Sequence, residues 1–562
     1  MARMDLQVKN PFLAETHEVL NQPPPLLDYN TYLQDQALRE AVEREGAGWA
    51  QADLQAFGAL TGSRAVIELG FQANENKPVL YTHDAYGHRI DEVRFHPAYH
   101  QLMRMSLENG LHSAHWTDPK PGAHVARAAK FYLQSQVDAA HGCPITMTSA
   151  AIPTLLEQPD IAAQWAEKIM ACDYDPRNVP AAQKQALTIG MAMTEKQGGS
   201  DVRANTLRAH PLALGGGGPG QAYALVGHKY FVSAPMCDAF LVLAQAPGGL
   251  SCFLLPRWHP DGSKNPLHIQ RLKNKMGNVA NASCETELRG AYAQMVGGEG
   301  RGVATILKMV SMTRFDCMIG SSGGMRQAVA QALHHCAYRF AFGKRLNQQP
   351  LMQNVLADLV LEHEAALALT VRIARALDTP HSASEKLLVR MGTAVGKYWI
   401  CKRTPAHAYE AMECIGGSGV MEDCIMPRLF RESPVNSIWE GSGNVQCLDM
   451  LRAMHRSPGA VDVWMDEVRI AAGANRHLDG YVRQLGDELA DLSDLEYRAR
   501  GVVERMALAL QGSLLVRYGH PVVADAFCAA RLAEGNSGLT FGRLPRGVDC
   551  AAIIRRATPV IA

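Results

Sequence analysis

Apolar positions between Tyr32 and Lys184 recur at helical spacing. His124–Ala140 places Val125, Ala128, Ala129, Tyr132, Leu133 and Val137 near one face, the pattern of an amphipathic helix. Gly142-Cys143-Pro144 punctuates the chain, and Pro153 is expected at a helix start, where a missing N–H costs little. From Leu187 to Gly300 the texture changes. Gln221–Ser233, Ala239–Gln245, Leu250–Leu255 and Cys284–Leu288 are short, rich in β-formers and bounded by Gly, Pro and Asn. Cys284–Leu288 alternates apolar and polar, as a half-buried strand does. The Gly215–Gly218 run lacks the Lys-Ser/Thr and adjoining helix of a phosphate loop, and reads as a hairpin tip.

The helical period returns at Gly302 and lasts to the end. Leu351–Leu377 carries Leu351, Val355, Leu359, Leu367 and Val371 on a stripe that Thr379-Pro380 stops. Ser382 with Glu385 reads as a capping box for a helix ending near Gly416-Gly417. Ser457-Pro458-Gly459 marks a boundary, and three or four helices fill Asp462–Ala562. The expected class is mainly α with an inserted β-domain. The expected units are residues 1–186 (helical), 187–300 (β), 301–456 (a helical bundle) and 457–562 (an additional helical domain).

Composition narrows this picture. A chain of 562 residues, 47% hydrophobic and 20% charged, is globular and too long for one compact core. Lys plus Arg equals Asp plus Glu at 55 each, so polyanion binding requires a local patch. Thirteen cysteines without CxxC or zinc spacing read as reduced thiols, with no metal site. Met1–Asn30 has no signal-type apolar core, and no apolar run approaches the roughly 18 residues of a membrane span, so a cytoplasmic location is expected.

Four segments carry candidate chemistry. Met193–Asp201 puts small residues and hydroxyls where strand meets loop, allowing close backbone approach to a flat ligand; alone it reads as a capped turn. Strand alternation sets Phe231 and Ser233 on one face, either as core or as a platform for a planar ring. Arg339-Phe340-Ala341-Phe342-Gly343 offers a guanidinium fork at a helix end with Gly343 as C-cap; a surface arginine reads the same. Asn436–Asn444 isolates Glu440 between Ile438-Trp439 and a Gly-Ser-Gly turn, where burial would raise its pKa for general-base work. The alternative is an exposed Glu440 beside Ser442 or Asn444 capping the next helix.

In this order and spacing the segments resemble the acyl-CoA dehydrogenase family over roughly Glu40–His455. The resemblance implies two helical domains flanking a β-barrel-like domain, FAD as cofactor, an acyl-CoA thioester substrate and Glu440 as base. It implies flavin contacts from Met193, Thr194, Gly199, Ser200, Phe231, Val232 and Ser233, and from Ile438, Trp439, Gly441, Ser442 and Asn444 around the base. Arg339 and Phe342 are similar to a segment reaching the FAD of a neighbouring subunit, which implies a homo-oligomer, commonly a tetramer. Gly416 and Gly417 resemble a pyrophosphate contact.

Cys143–Thr148, Met193–Asp201, Met312–Asp316 and Pro434–Gly443 resemble more specifically the AidB-like subfamily. That implies an added C-terminal helical region, a role in the alkylation-damage response, binding to double-stranded DNA and weak activity with isovaleryl-CoA. From Leu451 onward there are 14 Arg, no Lys and 13 acidic residues; arginine suits phosphate, though codon bias gives the same count. Arg452 resembles a DNA-binding arginine of the subfamily, and Arg543, Arg546, Arg555 and Arg556 are candidates by clustering. Two departures stand out. Pro350 replaces a frequent Gln, and Arg314-Phe315-Asp316 puts bulk where a narrowed acyl or CoA channel is expected. The alternative function is a metabolic short branched-chain acyl-CoA dehydrogenase whose extra domain serves oligomerisation.

Overall fold

A computed structural model describes residues 16–213, 216–535 and 540–561; Gly215, in the run read as a hairpin tip, lies outside them. Helix Gly302–Tyr338 is the spine of the molecule. It is buried on nearly every side because it packs against Ala123–Ser135 and Gly142–Leu155 on one flank and Pro350–Leu377 and Ala383–Ile415 on the other. Helix Ala123–Ser135 is likewise buried all round rather than on one stripe, and it ends five residues before the predicted Ala140.

Pro153 lies in the last turn of helix Gly142–Leu155, not at a helix start. A proline there leaves the carbonyl four residues back without its usual donor. Here that carbonyl, of Ser149, accepts the Trp116 indole N–H at 3.1 Å, which makes the position tolerable. The antiparallel pair Val79–His83 and Arg89–Arg94 also departs from the helical expectation. Its residues are mostly half-exposed, so they carry little apolar signal, and Arg89 and Asp91 bond both backbone groups of Ile269 in the β-domain.

The strands between Ile189 and Val296 form one sheet. Its neighbours run from Ile189–Ala192 through Ala239–Ala246, Arg208–Pro211, Ala222–Ser233 and Ser283–Val296 to Gly249–Pro256. Ala239–Ala246 also pairs with Gly249–Pro256, which closes the sheet into a barrel. The register sets Ser233 opposite Ser283 at one end.

Ser382 caps helix Ala383–Ile415 by accepting the Glu385 N–H, but the Glu385 carboxylate pairs with Arg372 instead of closing the box. The C-terminal helices share the main core through Trp464, Val502, Met506 and Leu510. Buried ion pairs staple them down: Arg372 and Arg517 to Glu467, Arg531 to Asp358 and Glu362, and Arg556 to Glu40 and Glu364. Among the described residues no helix is long and apolar enough to cross a membrane, and no cluster of His, Cys, Asp and Glu could hold a metal ion.

Candidate active site

One stripe of the spine helix, through Val303, Val310, Thr313, Cys317, Gly320 and Gly324, lines a cavity of about 1400 Å³. At 1.5 Å rise per residue the stripe runs for roughly 30 Å. Facing it across the cavity are Met193, Thr194, Gly199, Ser200, Phe231 and Ser233 of the β-domain, with Ile438, Trp439, Glu440, Gly441 and Ser442 between the two walls.

Glu440 sits where a one-turn helix, Val435–Ile438, breaks before helix Gly443–Arg456. Its φ is 58° and that of Gly441 is 96°. A left-handed glutamate costs of order 1–3 kcal/mol and persists only where its surroundings impose it. Three side chains impose it here, through four hydrogen bonds. Arg314 Nε donates to the Glu440 carbonyl at 2.8 Å, Lys397 Nζ to the carbonyls of Trp439 and Gly441 at 2.8 Å each, and Gln446 Nε2 to that of Gly441 at 2.9 Å. Gly441 favours glycine because its φ of 96° strains any L side chain, and an added Cβ would also press on Gln446 and Val445. Arg314 is held in turn by Asp449 at 2.9 Å, and Asp449 by Arg390 at 2.7 Å.

The bend aims the carboxylate into the cavity, where Oε2 accepts from Thr313 Oγ1 at 3.0 Å. Surrounding protein raises the Glu440 pKa, and the Thr313 hydrogen bond with the charges of Arg314 and Lys397 offsets only part of that rise. The result is a carboxylate with one hydrogen bond and access to a ligand-sized space, equipped to take a proton.

The opposite loop is pinned from below. Glu195 and Lys229 are fully buried and paired at 3.0 Å. Glu195 also accepts from Thr206 N at 2.7 Å, Thr206 Oγ1 at 2.9 Å and Leu207 N at 3.2 Å, while Lys229 reaches the Leu243 carbonyl at 2.9 Å. Burial opposes the Glu195 charge, yet Lys229 and these donors win and hold its pKa down at about 2.

Other predicted residues lie elsewhere. Val232 is turned into the β-domain core. Asn444 accepts from Arg500 Nε at 2.8 Å. Arg339 donates to the Asn21 carbonyl at 2.6 Å. Phe342, 99% exposed, tips the two-stranded hairpin Phe340–Ala341 and Lys344–Arg345. Gly343, with φ 78°, therefore belongs to a hairpin turn rather than a C-cap. Gly416 and Gly417 lie beyond the cavity lining, in the turn that ends helix Ala383–Ile415.

Phe315 is buried in the core, and Asp316 is paired with Arg127 between helices, so the expected narrowing by a bulky ring does not occur. Arg452 lines the cavity mouth and is exposed. Arg543, Arg546 and Arg555 are exposed away from it, and among the described residues they form no ion pair. Arg556 is a correction: its side chain is 6% exposed and bound to Glu40 and Glu364, so its charge faces no outside ligand. Sequence reasoning missed Lys397, Gln446, Asp449 and Lys275. Only Lys397 carried a signal, as the one charge in Thr393–Cys401.

This barrel between helical layers, with a buried carboxylate at a large cavity, defines a class. Residues 190–291 match the acyl-CoA dehydrogenase middle domain and 300–455 the acyl-CoA dehydrogenase C-terminal domain. Residues 21–176 match the adaptive response protein AidB N-terminal domain. The chain belongs to the acyl-CoA dehydrogenase family, a family of FAD-dependent oxidoreductases. It is 46% identical to AidB of Escherichia coli (strain K12) over 520 residues, 92% of this chain and 95% of that protein. Acyl-CoA dehydrogenase family member 11 of Caenorhabditis elegans is 31% identical over 517 residues, 89% of this chain and 82% of that one. The crystal structure of C. elegans ACDH-11 in complex with C11-CoA superposes with a TM-score of 0.85 at 27% identity, covering 94% of this chain and 95% of that one.

Proposed function

We propose that the chain is a cytoplasmic AidB-like flavoprotein of the alkylation-damage response, in which Glu440 removes the α-proton of an acyl-CoA thioester and arginines at the cavity mouth bind double-stranded DNA. The observation that carries the first half is the left-handed Glu440, which lines one cavity together with Phe231 and Ser233. The residues fit a flavin. Phe231 is 42% exposed and lines the cavity with the Ser233 hydroxyl, offering a ring face and a polar edge. Beyond this cavity, at Gly416 and Gly417, an added Cβ would meet nothing within 4 Å, so the backbone there is open to close approach by a ligand.

When bound, FAD supplies the hydride acceptor. The protein does the rest. Glu440 takes the α-proton, its raised pKa giving the proton a competent acceptor near neutrality. The cavity walls orient the thioester and keep water from the developing enolate. Anaerobic titration tests this, using isovaleryl-CoA and, because the C. elegans relative was solved with it, C11-CoA. Bleaching of the oxidised-flavin absorbance is expected, slow if the activity is residual. No bleaching with either thioester refutes the assignment of Glu440 as a working base.

Five exposed or half-exposed arginines at the mouth, Arg203, Arg301, Arg390, Arg452 and Arg456, support the second half. Against Asp201 and Asp449 they leave the rim basic although the whole chain is neutral. In a gel-shift titration, log affinity for duplex DNA is expected to fall linearly with log salt, and Arg452→Ala to reduce that slope by about one. Salt-insensitive or absent binding refutes it. The exposed Phe340–Arg345 hairpin supports assembly with a further copy, as a homotetramer.

A further inference from the structure

The β-domain wall of the cavity carries a chain of three polar side chains. Lys275 Nζ donates to Ser283 Oγ at 2.9 Å and to the Asn281 carbonyl at 2.8 Å, and Ser283 Oγ lies 2.9 Å from Ser233 Oγ. All three side chains line the cavity. An ammonium has donors and no acceptor, and each serine has a single proton. Either serine can donate to the other; Lys275 occupies one Ser283 lone pair and leaves the Ser283 proton free for Ser233, the order in which the Ser233 proton is turned outward to the cavity.

The backbone holds the end of this chain in place. Ala234, the residue after Ser233, is left-handed with φ 50° and donates to the Ala282 carbonyl at 2.8 Å. That bend and the Ser233–Ser283 register leave the Ser233 hydroxyl at the rim of the barrel, beside the exposed face of Phe231. The groups facing Lys275 are Cys143, Glu432 and Cys284. Burial lowers Lys275 to about 8, so it is an ammonium below that pH, and raises the Cys143 and Cys284 thiols to about 12, which keeps both neutral there.

We propose that Lys275 is a positioning residue that acts through Ser283 to orient Ser233 as a hydrogen-bond donor to the electron-accepting edge of the flavin. This rests on the flavoprotein reading above and names the part of the chain that tunes the cofactor. A donor fixed before the reaction stabilises electron density arriving at that edge without reorganisation, and a cation behind it polarises each link.

The test compares Lys275→Met, Ser283→Ala and the double variant of the full chain loaded with FAD. Reduction potential and the visible flavin spectrum are the readouts. Each single variant is expected to move the potential to more negative values and alter the flavin band. The double variant is expected to match either single one, since one chain cut twice is cut once. Ser283→Ala keeps the Lys275–Asn281 contact, so a merely structural lysine predicts a shift for Lys275→Met only. That pattern, or additive shifts, overturns the proposal. If the wild-type chain takes up no flavin, the flavoprotein reading fails and the proposal falls with it; if flavin binds and the shifts are absent, only the proposal falls.

Discussion

Glu440→Gln is expected to bind FAD as the wild type does, while reduction of the flavin by an acyl-CoA slows by about 10⁴-fold, the upper range for loss of one general base. Stopped-flow absorbance measures it. Gln keeps the shape of the side chain and an acceptor for Thr313, and the left-handed bend is imposed on the backbone by Arg314, Lys397 and Gln446 rather than by the carboxylate. A variant that still reduces at the wild-type rate refutes the base assignment.

The same residue gives two pH dependences of opposite sign. Only ionised Glu440 accepts a proton, so the reduction rate of the wild type is expected to rise with pH through its raised pKa. Stability runs the other way. A carboxyl whose folded pKa lies above its unfolded value binds its proton more tightly in the folded state. Its contribution is therefore full at low pH and is lost as pH rises from the unfolded value through the folded one. Glu440→Gln is accordingly expected to raise the melting temperature at neutral pH. The site holds a charge that the fold alone would prefer to be without.

Lys229→Met has the second large effect, on the fold beneath the flavin loop. It leaves the Glu195 carboxylate, fully buried, without its cation. Breaking a buried pair from one side costs about 3–5 kcal/mol. Urea unfolding is expected to show a loss of that size together with loss of bound flavin, because Glu195 anchors Thr206 and Leu207 and closes the Met193–Ser200 loop. The wild-type pair contributes in a defined window. The Glu195 pKa is held down at about 2, so its stabilisation is present above the ordinary carboxylate pKa and is lost as pH falls through that range toward 2. Adding Glu195→Gln to Lys229→Met removes the orphaned charge and is expected to recover part of the loss. No recovery means that Lys229 matters for its packing rather than its charge.

Much of the architecture was legible from the chain, because helix and strand periods differ and because Gly and Pro punctuate them. Four of the barrel strands and the long helices Pro350–Leu377 and Ala383–Ile415 fall where the apolar pattern sets them, while the short strands Ile189–Ala192, Arg208–Pro211 and Leu267–Leu272 carry no such signal. The misreadings have local causes. Pro153 was read as a start because no sequence rule reveals that Trp116 serves the carbonyl it frees. The Val79–Arg94 hairpin escaped because half-exposed strands carry a weak apolar pattern. Arg556 looked like a surface cation because its partners, Glu40 and Glu364, are far away in sequence.

The site divides in the same way. Residue types alone marked Glu440, Phe231 and Ser233 as candidates, since an isolated acid in an apolar, glycine-rich loop and an aromatic beside a hydroxyl on one strand face are local patterns. Only the tertiary structure decided that Glu440 turns inward. The alternative, an exposed glutamate beside a helix cap, was equally compatible with the local sequence. The outcome depends on Arg314 and Lys397, 126 residues before Glu440 and 42 before Trp439. Local propensity disfavours a left-handed glutamate, so the bend exists where the distant Arg314 and Lys397, helped by the nearby Gln446, capture three successive carbonyls.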